Sequence, residues 1–118
     1  MGKRWLRGAL AGSIVVHLLA LYWPRVDVGE APQGGDKLTH LALFGGPVLA
    51  AVFALRRPWL IVALLALHAP FSEWAQSAFL PDRSGDPADA VADLIGVLLG
   101  VKVGLLARRR GNPGALVD

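Results

Sequence analysis

Four apolar runs, at residues 6–23, 38–55, 58–80 and 87–107, leave this chain few folds to choose from. Each has about the length at which an α-helix crosses a hydrocarbon core of about 30 Å, the first near the lower limit and the third long enough to tilt. Of the 118 residues 54% are hydrophobic and mean hydropathy is positive, more apolar surface than one small water-soluble domain can bury. The expected fold is all-α: an integral membrane bundle of four transmembrane helices, one domain over residues 1–110, followed by a flexible tail at 111–118.

The punctuation between the runs fits this reading. Lys3, Arg4 and Arg7 precede the first run, and Trp5 and Trp23 bracket it as interfacial aromatics do. A cleaved signal peptide begins the same way, but the bulky exit Leu21-Tyr22-Trp23-Pro24 has no small-residue cleavage site close behind it and reads as an uncleaved anchor. Residues 24–37 are rich in Gly, Pro and acids, the composition of an exposed loop, and Asp36 stands where an acid favours a helix start. Gly45, Gly46 and Pro47 interrupt the second run, a pattern that lipid-embedded helices tolerate at bends and close contacts. Arg56-Arg57 is a tight connection and Pro58 suits the first turn of the next helix, so the second and third runs form an antiparallel hairpin. Pro70 is placed to kink the third run just before Ser72 and Glu73. Gly96, Gly100 and Gly104 recur at four-residue spacing on one face, which serves packing inside the bundle first and leaves room for a homo-oligomer contact as well.

Charge sets the orientation. Lys3, Arg4, Arg7, Arg56, Arg57, Lys102, Arg108, Arg109 and Arg110 fall on the side of the termini, against Arg25, Lys37 and Arg83 on the other. The bias in basic residues puts both termini in the cytoplasm, and the expected location is the bacterial cytoplasmic (inner) membrane. Eight of the nine acids lie on the opposite, outer side, with Asp118 the exception. Lys102 is expected to extend its amine to the cytoplasmic boundary. The net charge of +3 is gathered at helix ends with no aromatic-interleaved basic face, so nucleic acid is not an expected partner. The absence of cysteine removes disulfides, thiol nucleophiles and cysteine zinc sites from consideration.

With four antiparallel spans, the start of the second, the end of the third and the start of the fourth reach one membrane face. Asp36, Lys37, His40, Glu73, Gln76, Arg83, Asp89 and Asp93 therefore share a depth although they are scattered in sequence. Asp36 and His40 lie one helical turn apart, as do Glu73 and Gln76, and Asp89 and Asp93, so each helix offers one polar stripe. Ionisable side chains so placed are expensive in a bilayer and mark a site by default.

The same residues carry a resemblance. The pattern Asp36-Lys37-x-x-His40, then Glu73-x-x-Gln76, then Pro81-x-Arg83-Ser84-Gly85 with Asp89 and Gly96 downstream resembles the VanZ-like family of small bacterial membrane proteins, named after a teicoplanin-resistance protein. The likeness extends over most of the chain, about residues 6–106. It implies an integral membrane protein with a link to the cell envelope or glycopeptide resistance and no well-established activity. At Asp93 this chain has a carboxylate where the family pattern tends to have Asn, which opens pairing, protonation or cation binding at that position.

Each residue has a structural role and a functional one to set side by side. Glu73, inside an apolar run that disfavours its charged form, and His40 are the candidates for general acid–base work, although His40 also serves as glue by bonding Glu73 across helices. Asp36, Lys37, Gln76, Arg83, Asp89 and Asp93 are the candidate ligand-binding residues. Against this, Asp36 suits a helix start, Lys37 an interfacial anchor, Gln76 an orienting partner for Glu73, and Asp89 a cap. Arg83 can clamp a phosphate or carboxylate, or bridge to Asp82, Asp86 or Asp89. His17 and His68 read as helix–helix contacts. No recognised ligand spacing assigns a metal, and nothing names a cofactor. A divalent cation on Glu73, Asp89, Asp93 and His40 enters only through an enzyme reading.

The leading expectation is an outer-face polar site that binds an envelope lipid or lipid-linked precursor. A membrane-embedded enzyme acting on lipid phosphate or acyl groups is second, and a structural or accessory subunit third. A proton-coupled transporter comes last, because four short helices leave little room for a pathway.

Overall fold

Each apolar run becomes a helix, because a backbone in apolar surroundings must satisfy its own hydrogen bonds. The computed structural model describes residues 2–23, 35–80 and 87–111, and the helices are α1 (Gly2–Tyr22), α2 (Gly35–Ala54), α3 (Trp59–Phe79) and α4 (Pro87–Gly111). The first and last overrun the expected apolar limits into charged residues. In α4 the extra turn carries Arg108, Arg109 and Arg110, cations placed at the negative end of the helix dipole. Residues 112–118, expected as a tail, lie outside the described residues.

Three helices, α1, α2 and α4, are long and apolar enough to cross a membrane. Helix α3 matches them in length, at 21 residues, but His68, Pro70, Ser72, Glu73 and Gln76 break its apolar run, and it does not meet the same measure. It nevertheless runs unbroken through Pro70. At its start Pro58 has near-helical torsions (φ −79°, ψ −4°) and its carbonyl accepts the Val62 N–H at 3.0 Å, so the connection at Arg56 and Arg57 is as tight as the sequence implies.

Packing centres on α2 against α4. A Cβ at Gly45 would lie 2.9 Å from the Gly96 carbonyl oxygen, and one at Gly100 would lie 2.7 Å from the Gly45 oxygen. A Cβ at Gly96 would overlap the Leu41 carbonyl, and one at Gly104 would meet Val52 at 2.8 Å. The glycine row is thus filled by α2 of the same chain, and the backbones approach as closely as small residues permit. Helix α1 packs mainly on α2 and α3 mainly on α4. Leu21, Phe44, Val48, Leu65, Ala69 and Val97 form the main apolar cluster, and Leu10, Ala51 and Ala54 a second.

Polarity is not distributed as in a water-soluble protein. His17, His40, Ser72, Glu73, Gln76 and Asp93 are buried, whereas Trp5, Val16, Leu60, Leu67, Leu98 and other large apolar side chains are exposed. In water such a surface would be an aggregation hazard; against lipid tails it carries no penalty.

Candidate functional site

Helices α2 and α4 bring their first two turns side by side, and the second half of α3 closes on them. Asp36 and Asp89 occupy the first turns, where the positive helix ends favour carboxylates. One turn deeper lie His40 and Asp93, pointing the same way as the acids above them. Glu73 enters at that depth from α3. Because the close α2–α4 contact begins at Leu41 and Gly96, His40 and Asp93 are held at its edge with little room to separate.

The cluster has two layers. In the upper, Lys37 Nζ is 3.0 Å from Asp36 Oδ2 and makes a short ion pair with Asp89 Oδ1, and these side chains are only partly buried. In the lower, His40 Nδ1 lies 2.8 Å from Asp93 Oδ1 and 3.9 Å from Glu73 Oε1, all three residues buried. The layers meet where His40 Nε2 comes within 3.5 Å of Asp89 Oδ2. Asp93 is fully enclosed, at 0% exposure, and its Oδ2 has no hydrogen-bond partner among the described residues. A buried polar atom left in that state is costly, which makes the position one that invites a ligand. One ligand atom from each of His40, Glu73 and Asp93 lies within 4.8 Å of the other two, the size of a metal-binding triad.

Most of the expected site residues therefore converge: Asp36, Lys37, His40, Glu73, Asp89 and Asp93 form one connected cluster. Two expectations need correction. His40 hydrogen-bonds Asp93, not Glu73, because the close α2–α4 contact brings Asp93 nearer than anything on α3. The side-chain nitrogen of Gln76 turns to α1, donating to the Leu21 carbonyl at 2.7 Å and capping a carbonyl left free in that helix's last turn. Lys37 is more than an interfacial anchor, since it clamps the first turns of α2 and α4 together. Arg83, with Asp82, Ser84, Gly85 and Asp86 around it, lies outside the described residues.

A second buried polar chain joins α1, α2 and α3. His17 Nδ1 lies 2.8 Å from the Leu43 carbonyl oxygen, His17 Nε2 2.9 Å from His68 Nδ1, and His68 Nε2 2.6 Å from the Tyr22 hydroxyl. A carbonyl can only accept, so His17 donates from Nδ1; with both rings neutral, His68 then donates from Nδ1 and Tyr22 from its hydroxyl. His17 and His68 are helix–helix contacts, as the sequence suggests, but the participation of Tyr22 was not legible. The destination of His17 had a signal. Pro47 has no N–H, which leaves the carbonyl four residues earlier, at Leu43, without its helical donor. Arg108 is more than the boundary charge its sequence position implies: its Nη1 donates to the Val52 carbonyl at 3.0 Å and caps the end of α2.

No protein-family model, no curated protein and no solved structure matches this chain.

Proposed function

We propose that this chain spans the bacterial cytoplasmic membrane four times, with both termini in the cytoplasm. At the outer face its acid–histidine cluster binds the polar head of an amphiphilic envelope molecule, a lipid or lipid-linked precursor. The observation that carries the proposal is the enclosed His40–Asp93 pair with Glu73 beside it. An aspartate at the centre of a membrane helix costs about 2.5–3.5 kcal/mol on insertion scales, so ionisable groups inside apolar helices are seldom retained without a use, and three helices contribute to one such cluster here. Simple helix pairing does not need that arrangement, because the glycine row already holds α2 to α4.

The role of α3 as a fourth span is supported by its length and by the inward placement of Ser72, Glu73 and Gln76, which leaves Leu60, Leu64 and Leu67 facing out. The basic residues at both termini and at Arg56-Arg57 support the orientation. The likeness of the cluster to the VanZ-like pattern agrees with an envelope role, and Arg83 is the residue we assign to an anionic group of the bound head.

The test is lipid copurification. Mass spectrometry of the purified protein should find one amphiphile enriched over the bulk membrane, and Glu73→Ala and Arg83→Ala should each deplete it. Unaltered lipid in both variants would leave the cluster with a purely structural role.

One observation favours a second reading, catalysis on a lipid phosphate or acyl group. A carboxylate 2.8 Å from an imidazole nitrogen is the arrangement that fixes a general base, with Asp93 in the orienting position and His40 as the base. A turnover screen on lipid phosphates and esters, with His40→Gln as the comparison, separates the two.

A further inference from the structure

The lower layer contains more than a hydrogen-bonded pair. His40, Glu73 and Asp93 come from three different helices, so their convergence is a product of the tertiary fold and not of helical periodicity. The distances His40 Nδ1 to Asp93 Oδ1, 2.8 Å, and His40 Nδ1 to Glu73 Oε1, 3.9 Å, bracket the separation of about 3.3 Å between neighbouring donors on a tetrahedral zinc ion. Asp93 Oδ2 is an independent sign of a missing partner: it is fully buried and accepts no hydrogen bond among the described residues. The outer partners of a metal site are also present. With Nδ1 turned to the centre, His40 Nε2–H faces Asp89 Oδ2 at 3.5 Å, and Asp89 is in turn held by Lys37. A carboxylate on the far nitrogen of a ligating histidine is the arrangement that fixes its tautomer and strengthens it as a donor.

We infer that His40 Nδ1, Glu73 and Asp93 form a membrane-embedded site for a divalent transition-metal ion of the zinc type, with Asp89 and Lys37 as its outer support. The donor set selects the class of ion. One imidazole and two carboxylates suit zinc and its neighbours, whereas magnesium and calcium take all-oxygen shells of six or more ligands. Three protein donors leave a fourth position for water or for an oxygen of a bound head group. The inference deepens the binding proposal by giving an acid-rich cluster a means of holding an anionic oxygen; it rests on that proposal for the identity of the fourth ligand.

The experiment titrates chelator-stripped, detergent-purified full-length protein with zinc chloride against a chromophoric competitor, with cobalt(II) as a spectroscopic stand-in. The same samples are analysed for copurified lipid. The wild type should bind one zinc per chain and give the intense visible spectrum of low-coordinate cobalt, and a large excess of magnesium should not compete. His40→Gln and Asp93→Asn should abolish stoichiometric binding, and Asp89→Asn should weaken it about 10- to 100-fold through the outer shell. A wild type that takes up no stoichiometric zinc, or zinc held equally by His40→Gln and Asp93→Asn, would overturn the site. The cobalt spectrum is read on the wild type, so the test stands even if a variant does not fold. Lipid without zinc rejects the metal and leaves the binding proposal standing; zinc without enriched lipid does the reverse.

Discussion

His17 on α1 completes a backbone that Pro47 interrupts on α2. Proline leaves the Leu43 carbonyl without an N–H, and His17 Nδ1 meets that carbonyl at 2.8 Å. Pro47→Ala restores the helical donor, so His17 should then matter less. In a double-mutant cycle on thermal stability in detergent, His17→Phe should cost about 1 kcal/mol more in the Pro47 parent than in the Pro47→Ala background. Equal costs would show that the two residues act separately.

The glycine row makes a graded prediction. Gly96→Ala sets a methyl group on the Leu41 carbonyl, which cannot yield without parting the helices, and should destabilise by about 1–3 kcal/mol. Gly104→Ala meets the Val52 side chain and should cost less, because a rotamer can move. Gly46→Ala has open space around it and should be neutral or slightly stabilising. Thermal unfolding of the three variants in one detergent checks the order.

His40 Nδ1 and Asp93 Oδ1 are hydrogen-bonded to each other, so removing one residue strands the other's buried atom. His40→Leu and Asp93→Leu should each destabilise by about 1–3 kcal/mol, while the double variant should return toward the parent because no buried polar atom of the pair is left. A stable double variant that has lost zinc and lipid would separate the pair's functional role from its structural one. The readout is again unfolding in detergent, followed by metal and lipid analysis.

Arg108 should prove a helix cap as well as a topogenic charge. Arg108→Ala removes the donor on the Val52 carbonyl and should cost about 1 kcal/mol, whereas Arg109→Ala, exposed beside it, should cost little. Differential stability of the two variants at equal charge distinguishes capping from charge alone.

The number of helices, their limits within a few residues and the polar face were legible because membrane-length apolar runs and one-turn spacings are local properties. Asp36 with His40 and Asp89 with Asp93 could be placed on common faces from spacing alone. The choice of Asp93 over Glu73 as the partner of His40 could not, since it depends on how closely α2 approaches α4, a distance set by Gly45, Gly96 and Gly100 together. The same limit explains Gln76 and Tyr22. Their partners, the Leu21 carbonyl and His68, sit on other helices and follow from the order of packing, which no single run encodes. The Leu43 carbonyl was the exception, because a proline marks its own orphan.

For the cluster to lie beneath the outer face, α3 must cross the membrane. The chain has no cysteine, so single cysteines can be introduced at Arg57, just before α3, and at Ala88, in the first turn of α4, both exposed, and probed with a membrane-impermeant maleimide on intact cells. Ala88→Cys should react from outside and Arg57→Cys only after the membrane is permeabilised. Reaction of both from the same side, or of Ala88→Cys only after permeabilisation, would contradict it.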